Sequence, residues 1–446
     1  MDPFRSGARP VRTVSVESEG YAAAAAAVRR TGLETDPEVE RVVAGIVAEV
    51  RARGDEALLD LGRRFDCPGL AALEVSADEW EQGCAAVPGE VKAALDRAAA
   101  SIRAFHEQQR RPSWMDAREG AVTGQVVRAL DRVGLYVPGG TAVYPSSVLM
   151  VGVPARVAGV SDIVMTTPAT RTGEVHPSVL YAARVAGVSR VFRIGGAQAV
   201  AALAYGTQTV PAVDKVVGPG NVYVNAAKKL VWGVVDVDML AGPSEVCVVA
   251  DDGANPAFAA ADLLTQAEHD ADCAAYLLTP SARLAAAVAR GIEQRMAHLP
   301  RRGLVARALE AHGAIVVTRT LDEALDLANV CAPEHLALMV RDPFAALARV
   351  RNAGAVLLGD YSPQTLGDYL AGPSHTLPTS GTARFASPLH VDTFLKKSSF
   401  IYYDRAALAA VGGLLVRFAE EEGFGAHAEA VRARLAPPAG GGEGMA

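Results

Sequence analysis

The chain has 446 residues, half of them hydrophobic, with 43 Lys and Arg against 50 Asp and Glu and a formal charge of −7. At roughly 150 residues per domain that length implies two or three domains, and the acidic balance argues against a general nucleic-acid binder. Five cysteines without a C-x-x-C pair exclude a disulfide framework and read as a reduced, cytoplasmic protein.

The opening MDPFRSGARPVRTV lacks the apolar core of a signal peptide. The longest apolar run that follows, Tyr21 to Val28, falls far short of the ~20 residues a membrane span needs, so no membrane partner is expected. Residues 1–34 read as a helical arm, its Ala-rich stretch 22–27 being a strong helix former. Over 36–64, Val39, Val42, Val43, Ile46, Val47 and Val50 recur at three- and four-residue spacing, which predicts a helix starting at Asp36-Pro37. Residues 88–110 repeat that style. From residue 130, short β-branched runs alternate with helical windows. The strand candidates are 133–137, 162–166, 190–194, 215–217, 245–250, 275–278, 314–318, 336–340 and 355–358. Such alternation predicts βαβ units and a parallel sheet. Ala158-Gly159-Val160-Ser161 recurs as Ala186-Gly187-Val188-Ser189, and each glycine falls where a helix should end with positive φ. Residues 359–392, rich in Gly, Ser, Pro and Thr but interspersed with His, Asp and Tyr, read as an ordered functional loop. Residues 405–435 return to helix, and the last ten read as a disordered tail.

Several segments could carry chemistry. If 258–272 is helical, Gln266 and His269 share one face, where an amide oxygen and an imidazole could reach one zinc ion; an ordinary polar helix face is the alternative. Cys331-Ala332-Pro333-Glu334-His335 precedes a strand, and Pro333 places Glu334 and His335 at a loop-to-strand junction, as two bases of different strength or as plain surface charges. Ala241 to Glu245, Gly367-Asp368-Tyr369, Gly372 to His375 and Glu420 to His427 look over-determined for loops. No phosphate-loop or G-x-G-x-x-G motif occurs. Glycine turns at 138–140, 195–196 and 218–220 each follow a strand candidate and could open a helix, where an open sheet binds a dinucleotide or simply turns. Cys331, beside Glu334 and His335, is the one candidate thiol nucleophile; Cys247 lies in an apolar strand run and reads as structural.

Taken in order, GLYVPGG, IGGAQAVAALAYGT, VGPGNVYV, DMLAGPSEVCVVAD, LLTQAEHD, CAPEHL, LGDY, AGPSHTLPTSGTARF and EEGFGAHAEAV resemble the histidinol dehydrogenase family over roughly residues 35–435. The resemblance implies an NAD+-dependent oxidation of L-histidinol to L-histidine through L-histidinaldehyde, with one zinc per site. It implies zinc ligands at Gln266, His269, Asp368 and His427, and a catalytic pair at Glu334 and His335. It places substrate contacts at Ser244, His375 and Glu422 as well as at His335 and the metal ligands, and NAD contacts at Tyr136, Gln198 and Asn221.

The resemblance also implies an α/β fold of two incomplete Rossmann-like domains in a domain-swapped homodimer, with His427 and Glu422 reaching the partner's site. The expected division is an N-terminal arm at 1–34 and a first domain from 35–135 and 245–388. The second domain is 136–244, and the swapped segment is 389–446. A zinc and NAD enzyme of the same fold acting on another small alcohol, such as a sulfonated diol, is the alternative. A sulfonate would meet repulsion from Glu422. His106, His176, His298 and His312 have no motif around them and read as solvated, and His390 as structural or surface.

Overall fold

The computed structural model describes residues 11–30, 35–140 and 142–437; the expected tail and parts of the N-terminal arm lie outside them. The chain forms two compact units, residues through Arg110 with Leu130–Phe394, and Arg111–Ala129 with Leu395 to the end. Its strands, in chain order, are β1 (Arg12–Ser15), β2 (Trp114–Arg118), β3 (Ala121–Ala129), β4 (Arg132–Tyr136) and β5 (Asp162–Thr167). They continue with β6 (Arg190–Arg193), β7 (Lys215–Val217), β8 (Asp236–Val237), β9 (Glu245–Ala250) and β10 (Ala274–Thr279). The last are β11 (Gly313–Val317), β12 (His335–Met339), β13 (Ala355–Leu358) and β14 (Leu395–Tyr403).

The first unit holds two parallel sheets, as the alternating pattern predicts. One runs β6-β5-β4-β7-β8 and the other β1-β11-β10-β9-β12-β13. Setting β1 aside, both follow the same order, third-second-first-fourth-fifth, so the winding reverses between β4 and β7 and between β9 and β12. Every residue of β9 and β10 is buried, because helices cover both faces and leave no solvent side to select polar residues. Val246, Val248 and Ala250 point into one core and Cys247 and Val249 into the other, the period-two alternation of a strand.

Two expectations about the N-terminal third are corrected. The segment at 1–34 is not purely helical: Arg12–Ser15 is an edge strand paired with β11, and it buries Val14. A four-residue strand is too short to show a period. The helices Pro37–Arg53 and Asp55–Phe65 do not pack on residues 245–388. Val43, Val47 and Val50 of Pro37–Arg53 and Leu58 and Leu61 of Asp55–Phe65 share a core with Val200 and Leu203 beside the five-stranded sheet. The valine stripe packs on the Ala-rich helix Gly196–Tyr205, whose small side chains admit close approach. The expected helix over 36–64 is split by Gly54 at φ 58°. Gly159 and Gly187 both end helices in the left-handed conformation, as the repeat predicts. The loop after β13 is ordered. It contains the helix Gln364–Tyr369 and buries Ser374, Thr376, Thr379 and Ser380.

The second unit is an antiparallel sheet in the order β14-β3-β2 with the helices Arg405–Glu421 and Gly425–Leu435. Gly423, at φ 78°, makes the break that the glycines suggest. Among the described residues no helix is long and apolar enough to cross a membrane.

Candidate active site

The helix Leu321–Cys331 ends on Ala332 in the left-handed conformation, φ 48°, and Pro333 then delivers Glu334 and His335 to the start of β12. His335 pairs with Val246 on one side and Ala355 on the other, so both residues lie at the amino edge of the six-stranded sheet where its winding reverses. The crossover helix Pro256–Ala267 returns from β9 toward that edge and carries Gln266 in its last turn, fully buried. The helix is shorter than expected. It ends at Ala267, and His269 occupies the following turn with its N–H on Gln266 O at 3.2 Å. Asp270 Oδ1 accepts from Asp272 N–H at 3.1 Å, a local turn that competes with further helix. Gln266 and His269 therefore do not share a helical face; the turn presents His269 as an exposed side chain beyond a buried Gln266.

Asp368 comes from the loop after β13. Gln364 opens the helix Gln364–Tyr369, and Asp368 lies one turn on. Gln364 Nε2 donates to Gln266 Oε1 at 2.9 Å, while Asp368 Oδ1 lies 3.5 Å from His335 Nε2. His375 Nδ1 sits 3.0 Å from Asp368 O and its Nε2 sits 3.3 Å from Ser147 Oγ. Burial holds the His375 imidazole below its ordinary range; Asp368 opposes that shift, and His335 and His269 reinforce it. The three imidazoles and Asp368 thus lie within electrostatic reach of one another.

Glu334 is buried. Its Oε2 accepts from Glu245 N–H at 3.0 Å and lies 3.9 Å from His335 Nδ1, and Ser244 contributes a side-chain hydrogen bond. Burial pushes the Glu334 carboxyl up, against the pull of His335. Burial also opposes charge on His335, but Glu334 and Asp368 outweigh it and the imidazole's pKa is raised. A buried imidazole between two carboxylates is built to take up a proton. A cavity of about 580 Å³ opens onto it, lined by His335, Asp368 and His375 with Leu357, Leu366 and Leu377.

The residues matched to NAD lie at the carboxyl edge of the other sheet. Tyr136 ends β4; its hydroxyl accepts from Gly196 N–H at 3.3 Å, and burial pushes it up to about 12. Gln198 is buried in the first turn of Gly196–Tyr205. Asn221 caps Val222–Val231, its Oδ1 accepting from Tyr223 and Val224 N–H at 3.1 Å. The adjoining turn needs glycine, since a Cβ at Gly218 would meet Tyr136 O at 2.0 Å. Loops tie the two regions together: Gly242 N–H donates to Thr379 Oγ1 at 2.6 Å, and Ser374 Oγ donates to Met150 O at 3.0 Å.

Glu422 and His427 belong to the second unit and are exposed there, His427 beside the Phe424 ring. Among the described residues no group of three or more His, Cys, Asp or Glu could hold a metal. Gln266, His269 and Asp368 supply only two of those residue types. Cys331 is not a nucleophile, since it is buried against Cys247, which with desolvation drives its thiol well above the ordinary range. His106 is fully buried rather than solvated, with Nδ1 2.8 Å from Ile102 O, and His390 lines the cavity. Sequence reasoning missed Gln364 and Ser147, and reached Glu245 only as the end of an over-determined loop, with no role. The i, i+4 spacing of Gln364 and Asp368 behind Pro363 could have found the first.

Two parallel sheets with a buried acid–base cluster at one edge and glycine turns at the other define an α/β enzyme. The description "Histidinol dehydrogenase" is that of the family whose profile matches residues 29–435. A histidinol dehydrogenase of Geobacter metallireducens is 53% identical over 414 residues, covering 92% of this chain and 95% of that one. One of Geobacillus kaustophilus is 51% identical over 409 residues, covering 92% and 96%. The crystal structure of histidinol dehydrogenase from Elizabethkingia anophelis superposes with a TM-score of 0.91 at 34% identity, covering 96% of this chain and 98% of that one. The chain belongs to the histidinol dehydrogenase family, and through it to the oxidoreductases.

Proposed function

We propose that the chain oxidises L-histidinol to L-histidine through L-histidinaldehyde, in two successive hydride transfers to NAD+, as a zinc-dependent homodimer of the cytoplasm. The carrying observation is His335, buried between Glu334 and the half-buried Asp368 at the wall of the cavity, with Gln266 bonded to Gln364 of the helix that bears Asp368.

The residues fit zinc. Gln266 Oε1 accepts one hydrogen bond and keeps a second lone pair, Asp368 offers a carboxylate oxygen, and His269 an exposed imidazole. His427 from a second copy would complete a two-nitrogen, two-oxygen set. Bound there, zinc would supply a fixed point for the substrate, and positioning is a large catalytic effect. The fit for NAD+, which accepts the hydrides, rests on the N-terminus of Val222–Val231, which follows β7 at the reversal of winding, and on that of Gly196–Tyr205 after β6, whose Gly196 N–H meets the Tyr136 hydroxyl; Gln198 and Asn221 lie in these turns. The strand order shared by both sheets supports two incomplete Rossmann-like domains.

His335 takes the hydroxyl proton as the carbinol hydride leaves. Glu334, hydrogen-bonded to Ser244, takes a proton from water as its oxygen bonds to the aldehyde carbon, the His335 imidazolium gives its proton to the carbonyl oxygen, and the neutral His335 is again the base when the second hydride leaves. His375 contacts the substrate, and Glu422 of a second copy accepts a hydrogen bond from its amino group. The homodimer is supported by the second unit, where Ile401, Leu414 and Phe418 are 76%, 72% and 70% exposed. The five cysteines, all free and buried, support the cytoplasm. Initial rates of NAD+ reduction test the substrate: L-histidinol should be used and a sulfonated diol rejected. The opposite preference would move the assignment to the other alcohol.

A further inference from the structure

Arg30, at the far end of the N-terminal segment, reaches the same sheet edge as the catalytic pair. Its Nε lies 3.7 Å from Glu245 Oε1, and its Nη1 donates to Asp272 O at 2.9 Å. Glu245 opens β9 and is fully buried. Its Oε1 also accepts from Ser380 N–H at 2.8 Å, and Ser380 is held at φ 55°, a left-handed conformation a serine rarely takes. Its Oε2 has no hydrogen-bond partner among the described residues. A carboxyl kept from solvent in this way is a costly means of filling space. The main-chain N–H of the same residue donates to Glu334 Oε2.

We infer that Glu245 and Arg30 are positioning residues for Glu334, so that the N-terminal segment holds in place the group that activates water. This rests on the oxidation proposed above. The side chain of Glu245 pins the main chain whose N–H orients Glu334. Ser244, Glu245, Cys273, His335 and Asp368 face Glu334, whereas Arg30, Tyr276, Cys331 and Glu334 face Glu245. Burial pushes the Glu245 carboxyl up to about 8 despite Arg30, so a neutral glutamine imitates it at neutral pH.

The test separates the half-reactions in the zinc-loaded full chain, following NADH from L-histidinol in a first turnover and from L-histidinaldehyde directly. Glu245→Ala and Arg30→Ala should slow aldehyde oxidation roughly tenfold to a hundredfold while alcohol oxidation stays within about threefold, as expected when a supporting residue is lost. Glu245→Gln, which keeps the shape and the Ser380 contact, should restore most of the aldehyde rate. Should Glu245→Ala fail to fold, Arg30→Ala carries the same test, because Arg30 is not part of any of the hydrophobic cores described. An equal fall in both half-reactions, or no fall in either, would overturn the inference while leaving the oxidation intact. A wild-type enzyme that reduces no NAD+ with L-histidinol would overturn both.

Discussion

Gln364 Nε2 donates to Gln266 Oε1 across 2.9 Å, and both amides are buried. The bond fixes which end of the Gln266 amide faces its surroundings, and it joins the helix bearing Gln266 to the helix bearing Asp368. Two proposed zinc ligands, one on the β9–β10 crossover helix and one on the loop after β13, are thereby held by one contact.

Gln364→Leu should therefore weaken zinc binding roughly tenfold to a hundredfold without removing a ligand. His269→Asn removes one and should lose more. Zinc retained against a graded chelator measures both. Unchanged retention in Gln364→Leu would mean that Gln266 is held without it, and retained zinc with full rate in His269→Asn would refute that ligand.

In the proposed mechanism the acid–base pair divides the chemistry. Glu334→Gln should spare alcohol oxidation and slow aldehyde oxidation, whereas His335→Asn should slow both, by about a hundredfold or more for a lost general base. NADH formation from each substrate separately reads this out. Equal losses in the Glu334 variant would end the division of labour.

On the cofactor side, Lys228 is buried with its Nζ 2.6 Å from Asp238 Oδ1 and 2.5 Å from Gly218 O. Asp238 Oδ2 in turn accepts from Gly218 N–H at 2.8 Å. Lys228→Met would leave a buried carboxylate unpaired and should cost about 3–5 kcal/mol in chemical denaturation. NAD+ affinity should fall with it, because the Gly218 turn loses its anchor. A variant as stable as wild type would show that water reaches Asp238.

Asp262, one turn before Gln266, is buried with Oδ2 unpartnered among the described residues, and burial pushes its carboxyl up from 3.8 to about 6. In the unfolded chain it ionises near its ordinary value. Between those two values the folded state binds more protons, so this group makes stability fall as pH rises from about 4 to 6. Asp262→Asn removes that dependence. Denaturation midpoints should show the variant gaining on wild type across this window, by up to about 3 kcal/mol once above it. A pH-independent difference would show that Asp262 ionises normally.

Much of this was legible in the residues. The strand candidates from 133 to 358 fall on the observed parallel strands because buried β-branched runs bounded by turns have few other readings. Strands β2, β3 and β14 were missed, since the exposed face of an antiparallel sheet mixes polar and apolar residues. The partner of Val43 and Val47 was misassigned, because periodicity says that a face is buried but not against what. Glu334 and His335 sit at the loop-to-strand junction that Pro333 indicates. His269 was placed on the wrong element, because the Asp270 turn that ends the helix looks like any acidic residue. Arg30 and Glu245, 215 residues apart, meet only through the pairing of a sheet that brings both to one edge.

The most direct measurement is NADH formed per L-histidinol consumed, before chelation, after it, and after zinc is restored. Two NADH per histidinol, abolished by chelation and recovered with zinc, is the predicted result. A folded, zinc-loaded protein that forms no NADH, or stops at one per histidinol, would contradict the four-electron oxidation proposed for this site.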